Sequence, residues 1–232
     1  MALTSAAVFG GTGHSGQFIL SSLLAIETTK TVHTFSRRAP NIESPKLSAH
    51  IEPDSSKWAS NLLATKPSPD VVLSALAMTH AEAGSIENKW KIDHDLNVEL
   101  AKAAKAAGVK TYVFISGAGA RSRLGGYFSD MKMKRRVEET IEGLDFENAV
   151  ILRPGMILGK REKPHPIGPL LNGIIYGLGY IAKGLQDGLG QEAEVVGRAA
   201  VQAAQIAAEG KAPNKIWALE GSDIVKIANN IQ

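Results

Sequence analysis

The chain predicts an α/β protein, a doubly wound parallel sheet in a single domain. Three observations carry this. Short apolar runs alternate with helix-forming segments along most of the 232 residues, the pattern of repeated strand–helix–strand units. The first strand and helix are joined by a glycine turn, Gly10-Gly11-Thr12-Gly13-His14-Ser15-Gly16. The run Asp70-Val71-Val72-Leu73-Ser74-Ala75-Leu76 is apolar almost throughout, as a central strand covered on both faces must be.

In chain order, Ala6-Ala7-Val8-Phe9 is the first strand, and Gln17 to Leu24 an amphipathic helix behind the glycine turn. Thr31-Val32-His33-Thr34-Phe35 is the second strand, with loop material from Arg37 to Pro45, and a short third strand covers Lys46 to Ile51. A helix starts near Asp54-Ser55-Ser56-Lys57-Trp58, with Asp54 or Ser55 as its cap. The fourth strand is the run from Asp70. A long helix from about Ile86 to Ala107 follows, closed by Gly108. Thr111 to Ser116 is the fifth strand, Asp130 to Gly143 a charged helix, and Ala149 to Pro154 the sixth strand. Lys160 to Gly190 is rich in Gly and Pro with scattered large apolar residues, and is expected to roof the cleft as an insertion that shapes a substrate pocket.

Composition narrows the function classes. Apolar residues make up 44% and charged residues 21%, ordinary for a globular protein. The absence of cysteine excludes disulfides and thiolate metal sites and suits a reducing compartment. A net charge of +3 with 6% aromatics does not describe a nucleic-acid binder, which needs a broad basic patch with stacking rings. The basic run Lys132, Lys134, Arg135 and Arg136 shares its helix with Glu138, Glu139 and Glu142, and reads as a salt-bridged exposed face. The first strand begins within a few residues of Met1, so no cleavable targeting segment is expected. No apolar run is long enough to span a bilayer; Ile167 to Ala182, broken by Pro169, Asn172 and four glycines, can touch a membrane but not cross it.

Ligands of such sheets bind beyond the carboxyl ends of the strands, which selects the candidate residues. The glycine turn has the spacing G-x-x-G-x-x-G. Gly10, Thr12, Gly13, His14 and Gly16 are expected to hold a dinucleotide pyrophosphate against the N-terminus of the first helix. Arg37 and Arg38 follow the second strand, about twenty residues past Gly16, where arginine accommodates a ribose 2′-phosphate. With no acid nearby, they favour NADP(H) over NAD(H). Asp54, at the end of the third strand, holds the adenine amino group, caps the next helix, or does both. Ala75 and Leu76, ending the fourth strand, are expected against the cofactor. Asn97 is placed to hydrogen-bond backbone near the active site or else to face solvent, and His80 is within reach of the nicotinamide. Asp93-His94-Asp95 lacks further ligands at metal spacing, so no metal is expected and solvated or locally hydrogen-bonded roles are. His165, in a stiff Lys-Pro-His-Pro loop, has no partner suggested by sequence.

The glycine spacing, Arg37-Arg38, Asp54 to Trp58, Lys91-Ile92-Asp93-His94-Asp95-Leu96-Asn97, Met131-Lys132-Met133-Lys134 and Leu152-Arg153-Pro154-Gly155 together resemble the atypical short-chain dehydrogenase/reductases. Within them they look most like a fungal mitochondrial-proteome group related to the Tat-interacting oxidoreductase of animals. The likeness runs from residue 5 to about 160. It implies a Rossmann-like fold, NADP(H) binding, an oxidoreductase acting on a small carbonyl or hydroxyl substrate, and a peripheral seat on the cytoplasmic face of the mitochondrial outer membrane. A small-molecule substrate, peripheral membrane contact and a second copy of the chain are the partners considered.

The wider family's chemistry uses a tyrosine four residues before a lysine on one helix; the lysine lowers the phenol's pKa and holds the nicotinamide ribose. Lys134 is the matching lysine, but Asp130 stands where the tyrosine belongs. Three readings stay open: Tyr127 supplies the phenol from the preceding loop; Asp130 is itself an acid/base, including the base of a non-redox isomerase or dehydratase; or Asp130 complements the helix dipole and the proton relay is gone. The last leaves an NADP(H)-binding regulatory or partner-binding protein without redox turnover. Ser116 is followed by Gly117, so only the first of the family's two small hydroxyl residues is kept. It either meets the substrate or caps the strand end.

Overall fold

A computed structural model describes residues 2–123, 125–159 and 189–229. Seven strands form one sheet: β1 (Ser5–Phe9), β2 (Thr31–Ser36), β3 (Leu47–Ile51), β4 (Val71–Ser74), β5 (Thr111–Ile115), β6 (Asn148–Arg153) and β9 (Ile216–Glu220). Their spatial order is β3-β2-β1-β4-β5-β6-β9, and every neighbouring pair is parallel. A parallel ribbon of β7 (Met156–Leu158) and β8 (Gly190–Glu192) stands beside it. The helices are α1 (Gly16–Ala25), α2 (Trp58–Ala64), α3 (His80–Ala83), α4 (Ile86–Trp90), α5 (Asn97–Ala106), α6 (Ser129–Gly143), α7 (Ala193–Ala208) and α8 (Gly221–Asn229).

The period of two along each strand divides the core. Ala6, Val8, Leu73, Val113 and Val150 face one side, where α1, α7 and α8 cover them with Ile19, Leu20, Val196, Ala200 and Ile224. Ala7, Phe9, Phe35, Val72, Tyr112 and Phe114 face the other, under Trp58 and Leu62 of α2, Leu100 of α5 and Val137 of α6. Phe9 stacks on Phe35 with ring centroids 5.0 Å apart. Because both faces are packed, β4 and β5 show no exposed position. Asp70 pins the start of β4 to that of β1, accepting from Thr4 N (2.9 Å), Thr4 Oγ1 (2.8 Å) and Ser5 N (2.8 Å).

The doubly wound expectation therefore holds, and the six predicted strands are all present. The long helix expected over 86–107 is a correction. It is broken into α4 and α5 by a π-helical turn, Lys91–Leu96, whose wider winding admits an extra residue and rotates the side chains before it. Charged helix α6 starts at Ser129, one residue early, with Phe128 as cap residue. Nothing in the expectations covered β7 to α8. Residues 160–188 of the expected 160–190 insertion, the stretch Ile167 to Ala182 and His165 lie outside the described residues. Among the described residues no helix is long and apolar enough to cross a membrane.

Candidate cofactor and active site

The glycine turn is built for close contact. Gly10 takes φ +78, which lets the chain turn against the end of β4; a Cβ there would stand 2.8 Å from Ala75 O. Gly16 opens α1, and a Cβ on it would stand 1.9 Å from Gly10 O, so only glycine allows helix and strand to meet. Gly13 N donates to Gly10 O (2.9 Å), closing the turn. The start of α1 has no side-chain cap and no acid in its first turn. Its N–H groups and the positive end of its dipole are thus directed at whatever anion the turn accepts.

The loop after β2 folds over this turn. Ser36 Oγ donates to Arg38 O (2.7 Å), and the Arg38 guanidinium donates to Thr12 O (3.3 Å). Arg37 and Arg38 are both exposed, presenting two cations at the turn's edge. His14 is anchored with Nε2 3.0 Å from Leu158 O of β7. Ala75 N donates to Phe9 O (3.0 Å), so Gly10, Thr12, Gly13, His14, Gly16, Arg38 and Ala75 come together. These residues fit a phosphorylated dinucleotide: a tight glycine cradle, an uncapped helix start and guanidinium groups. Asp54 is a cap, accepting from Ser56 N (3.1 Å) and Ser56 Oγ (2.7 Å), bonds that lower its pKa.

A second cluster lies at the ends of β4 and β5. Lys134 Nζ donates to Ser116 O (2.9 Å) and Ile115 O (3.1 Å) and sits 5.7 Å above the Phe114 ring. Burial pushes its pKa down, with Lys89 adding to that and Asp93, Asp130 and Glu138 opposing it. Lys89 is buried, 2.6 Å from Asp93 Oδ2 and 3.8 Å from Asp130 Oδ2, and it also donates to Met78 O. Asp93 Oδ1 accepts from Met78 N (2.8 Å). His80 Nε2 lies 3.2 Å from Asp130 Oδ1. Asn97 is fully buried, taking the Ser74 hydroxyl at 2.6 Å and donating to Leu76 O (3.3 Å), Ile92 O (3.1 Å) and Asp93 O (3.2 Å). It thereby ties the wide carbonyls of the π turn to the end of β4, the backbone role expected for it.

Several expectations need correcting. The Ser116 hydroxyl points away from Lys134, donating to Glu138 Oε1 at 2.5 Å. Glu138 is completely buried rather than on an exposed face, because Arg153 and Arg121 reach in to it, Nε to Oε1 at 3.1 Å and Nε to Oε2 at 2.8 Å. Only the outer part of the charged face is as expected, with Arg135 on Glu139 at 2.9 Å. Tyr127, in the helical turn Gly125–Tyr127, is 85% exposed. Asp93 is buried and takes the locally hydrogen-bonded of its two expected roles, on Lys89 one turn earlier. Lys89 and Arg121 were missed, while Glu138 and Arg153 were named only within the charged face and the Leu152 to Gly155 string, without a role. Further sequence signals were Lys89 four residues before Asp93 and Glu138 four after Lys134.

A family model described as NAD(P)H-binding matches residues 10–169, from the first glycine of the turn past Lys134. The mitochondrial protein FMP52 of Chaetomium globosum is 55% identical over 97% of either chain, and the mitochondrial protein fmp-52 of Neurospora crassa is 53% identical over 97% of this chain and 95% of its own. The chain belongs to the FMP52 family of NAD(P)H-binding proteins. Solved structures show the same fold at low identity. UDP-N-acetylglucosamine 4-epimerase from Methanobrevibacter ruminantium has a TM-score of 0.69 at 15% identity, over 95% of this chain and 77% of that one. The Bordetella bronchiseptica enzyme WbmH in complex with NAD⁺ has a TM-score of 0.66 at 17%, over 94% and 75%. The NAD(P)H-binding match begins at Gly10, the first glycine of the turn.

Proposed function

We propose that the chain is an NADP(H)-dependent oxidoreductase acting on a small carbonyl or hydroxyl substrate. The observation that carries the cofactor choice is Arg38 bonded to Thr12 O of the glycine turn, with Arg37 beside it. That arrangement supports a doubly charged 2′-phosphate at the adenosine ribose better than a free hydroxyl. Lys134 has used two of its three N–H donors on Ile115 and Ser116 carbonyls, leaving one for the nicotinamide ribose. Bound nicotinamide would supply the hydride chemistry. The names of the FMP52 relatives support a mitochondrial location here.

The test is a thermal-shift titration with NADPH, NADP⁺ and NADH. A nucleotide at 100 times its dissociation constant stabilises by about 2.7 kcal/mol. Replacing Arg37 and Arg38 with alanine should weaken NADPH far more than NADH. Equal losses would refute the 2′-phosphate role.

A second reading, NADP(H) binding without turnover, is favoured by Asp130 in the tyrosine position together with the outward phenol of Tyr127. Asp130→Tyr separates the two: a gain in carbonyl reduction would mean that the site is assembled and lacks only its acid.

A further inference from the structure

Asp130 stands one helical turn before Lys134, in the place of the missing phenol, and His80 lies against it. A capping box sets the start of α3, Thr79 Oγ1 accepting from Glu82 N (3.2 Å) while the Glu82 carboxylate accepts from Thr79 N (3.0 Å). His80 is thereby held with Nε2 3.2 Å from Asp130 Oδ1. That oxygen is buried and takes no aligned hydrogen bond among the described residues. Asp130 Oδ2 faces Lys89, which Asp93 holds in turn at 2.6 Å. The back of the Asp130 carboxylate is thus fixed by buried charges. Its front carries an imidazole whose side chain is 66% exposed.

We propose that His80 is the proton donor to the substrate oxygen and that Asp130 is its positioning residue. This rests on the oxidoreductase reading above. An aspartate is shorter than a tyrosine, and here it carries the His80 imidazole at its tip. In the step, the carbonyl carbon gains the hydride that a reduced nicotinamide gives up, and its oxygen gains the proton from His80 Nδ1, the ring nitrogen that Asp130 does not engage. The carbonyl becomes an alcohol, the nicotinamide is oxidised, and the neutral imidazole takes its next proton from water. The charged group against this imidazole is Asp130 on α6, backed by Lys89 on α4, which Asp93 in the π turn holds.

The test compares wild type, His80→Ala and Asp130→Asn, each first shown to bind NADPH. NADPH oxidation is followed with 4-nitrobenzaldehyde and with phenanthrenequinone, and carbethoxylation by diethylpyrocarbonate is mapped by mass spectrometry. His80→Ala is expected to lose about 10²-fold or more of the rate and to regain part of it with added imidazole. Asp130→Asn should lower kcat with the probe KM and the NADPH affinity nearly unchanged. NADPH should slow carbethoxylation of His80 several-fold while leaving His94 unchanged. Failure of wild type to bind NADPH, or binding without reduction of either probe, overturns the oxidoreductase reading itself. An unaffected His80→Ala rate, an Asp130→Asn kcat equal to that of wild type, or an unprotected His80 overturns the His80 assignment alone.

Discussion

Glu138 is fully buried, yet its carboxyl is held below the usual range: burial raises it, and hydrogen bonds from Arg153, Ser116 and Arg121 outweigh that. It joins α6 to the ends of β5 and β6, and so sets where Lys134 lies one turn earlier. Glu138→Ala opens a cavity and takes one carboxylate from Arg153 and Arg121, which keep Glu220 and Glu142. It should cost about 2–3 kcal/mol in urea unfolding, whereas Ser116→Ala should cost about 1 kcal/mol because Arg153 still satisfies the same oxygen. Sequence spacing could place Glu138 on the helix with Lys134 but not choose its face. Arg153 and Arg121, the partners that make its burial tolerable, come from distant points in the chain. The glycine turn was legible because its tight geometry follows from its local position between a strand and a helix.

At the scale of elements, the glycine turn is the piece with least freedom. Gly16→Ala must push Gly10 O away by more than an ångström or move α1 off β1. It is expected to destabilise by about 3 kcal/mol or more and to abolish the NADPH-induced thermal shift even where the fold survives. Strand positions were readable from composition, since β1, β4 and β5 are apolar on both faces. The π turn was not. Alanine- and lysine-rich sequence from Ile86 to Ala107 satisfies a straight helix equally well, and the extra residue is fixed by Asn97, whose amide bonds Ile92 and Asp93 carbonyls. Lys89 and Asp93 became part of the site through that tertiary choice.

For the whole molecule, pH acts first at the outer sheet edge. His33 Nδ1 lies 3.1 Å from His50 Nε2, with His50 stacked on Phe35 at 4.6 Å. Burial lowers both pKa values, and for His33 the His50 charge adds to this. The folded state therefore prefers neutral imidazoles. Their contribution to stability is complete above 6.5, the ordinary value, and is lost as pH falls through the lowered folded values. Melting temperature should drop between pH 7 and pH 5, before Glu138 and Asp70 titrate, and His50→Gln should flatten that drop. An unchanged slope in the variant would assign the sensitivity elsewhere.

The parallel pairing of β7 with β8, Met156 opposite Gly190 and Leu158 opposite Glu192, has an evolutionary meaning. The chain departs after one strand and re-enters at the other, at points little more than a strand's length apart, both moored to the main frame through His14 and through Gln191, which holds Gly155 N at 2.8 Å. Lengthening the excursion between them costs only about 0.6 kcal/mol per doubling. Lineages can therefore resize that segment at little cost to the main sheet.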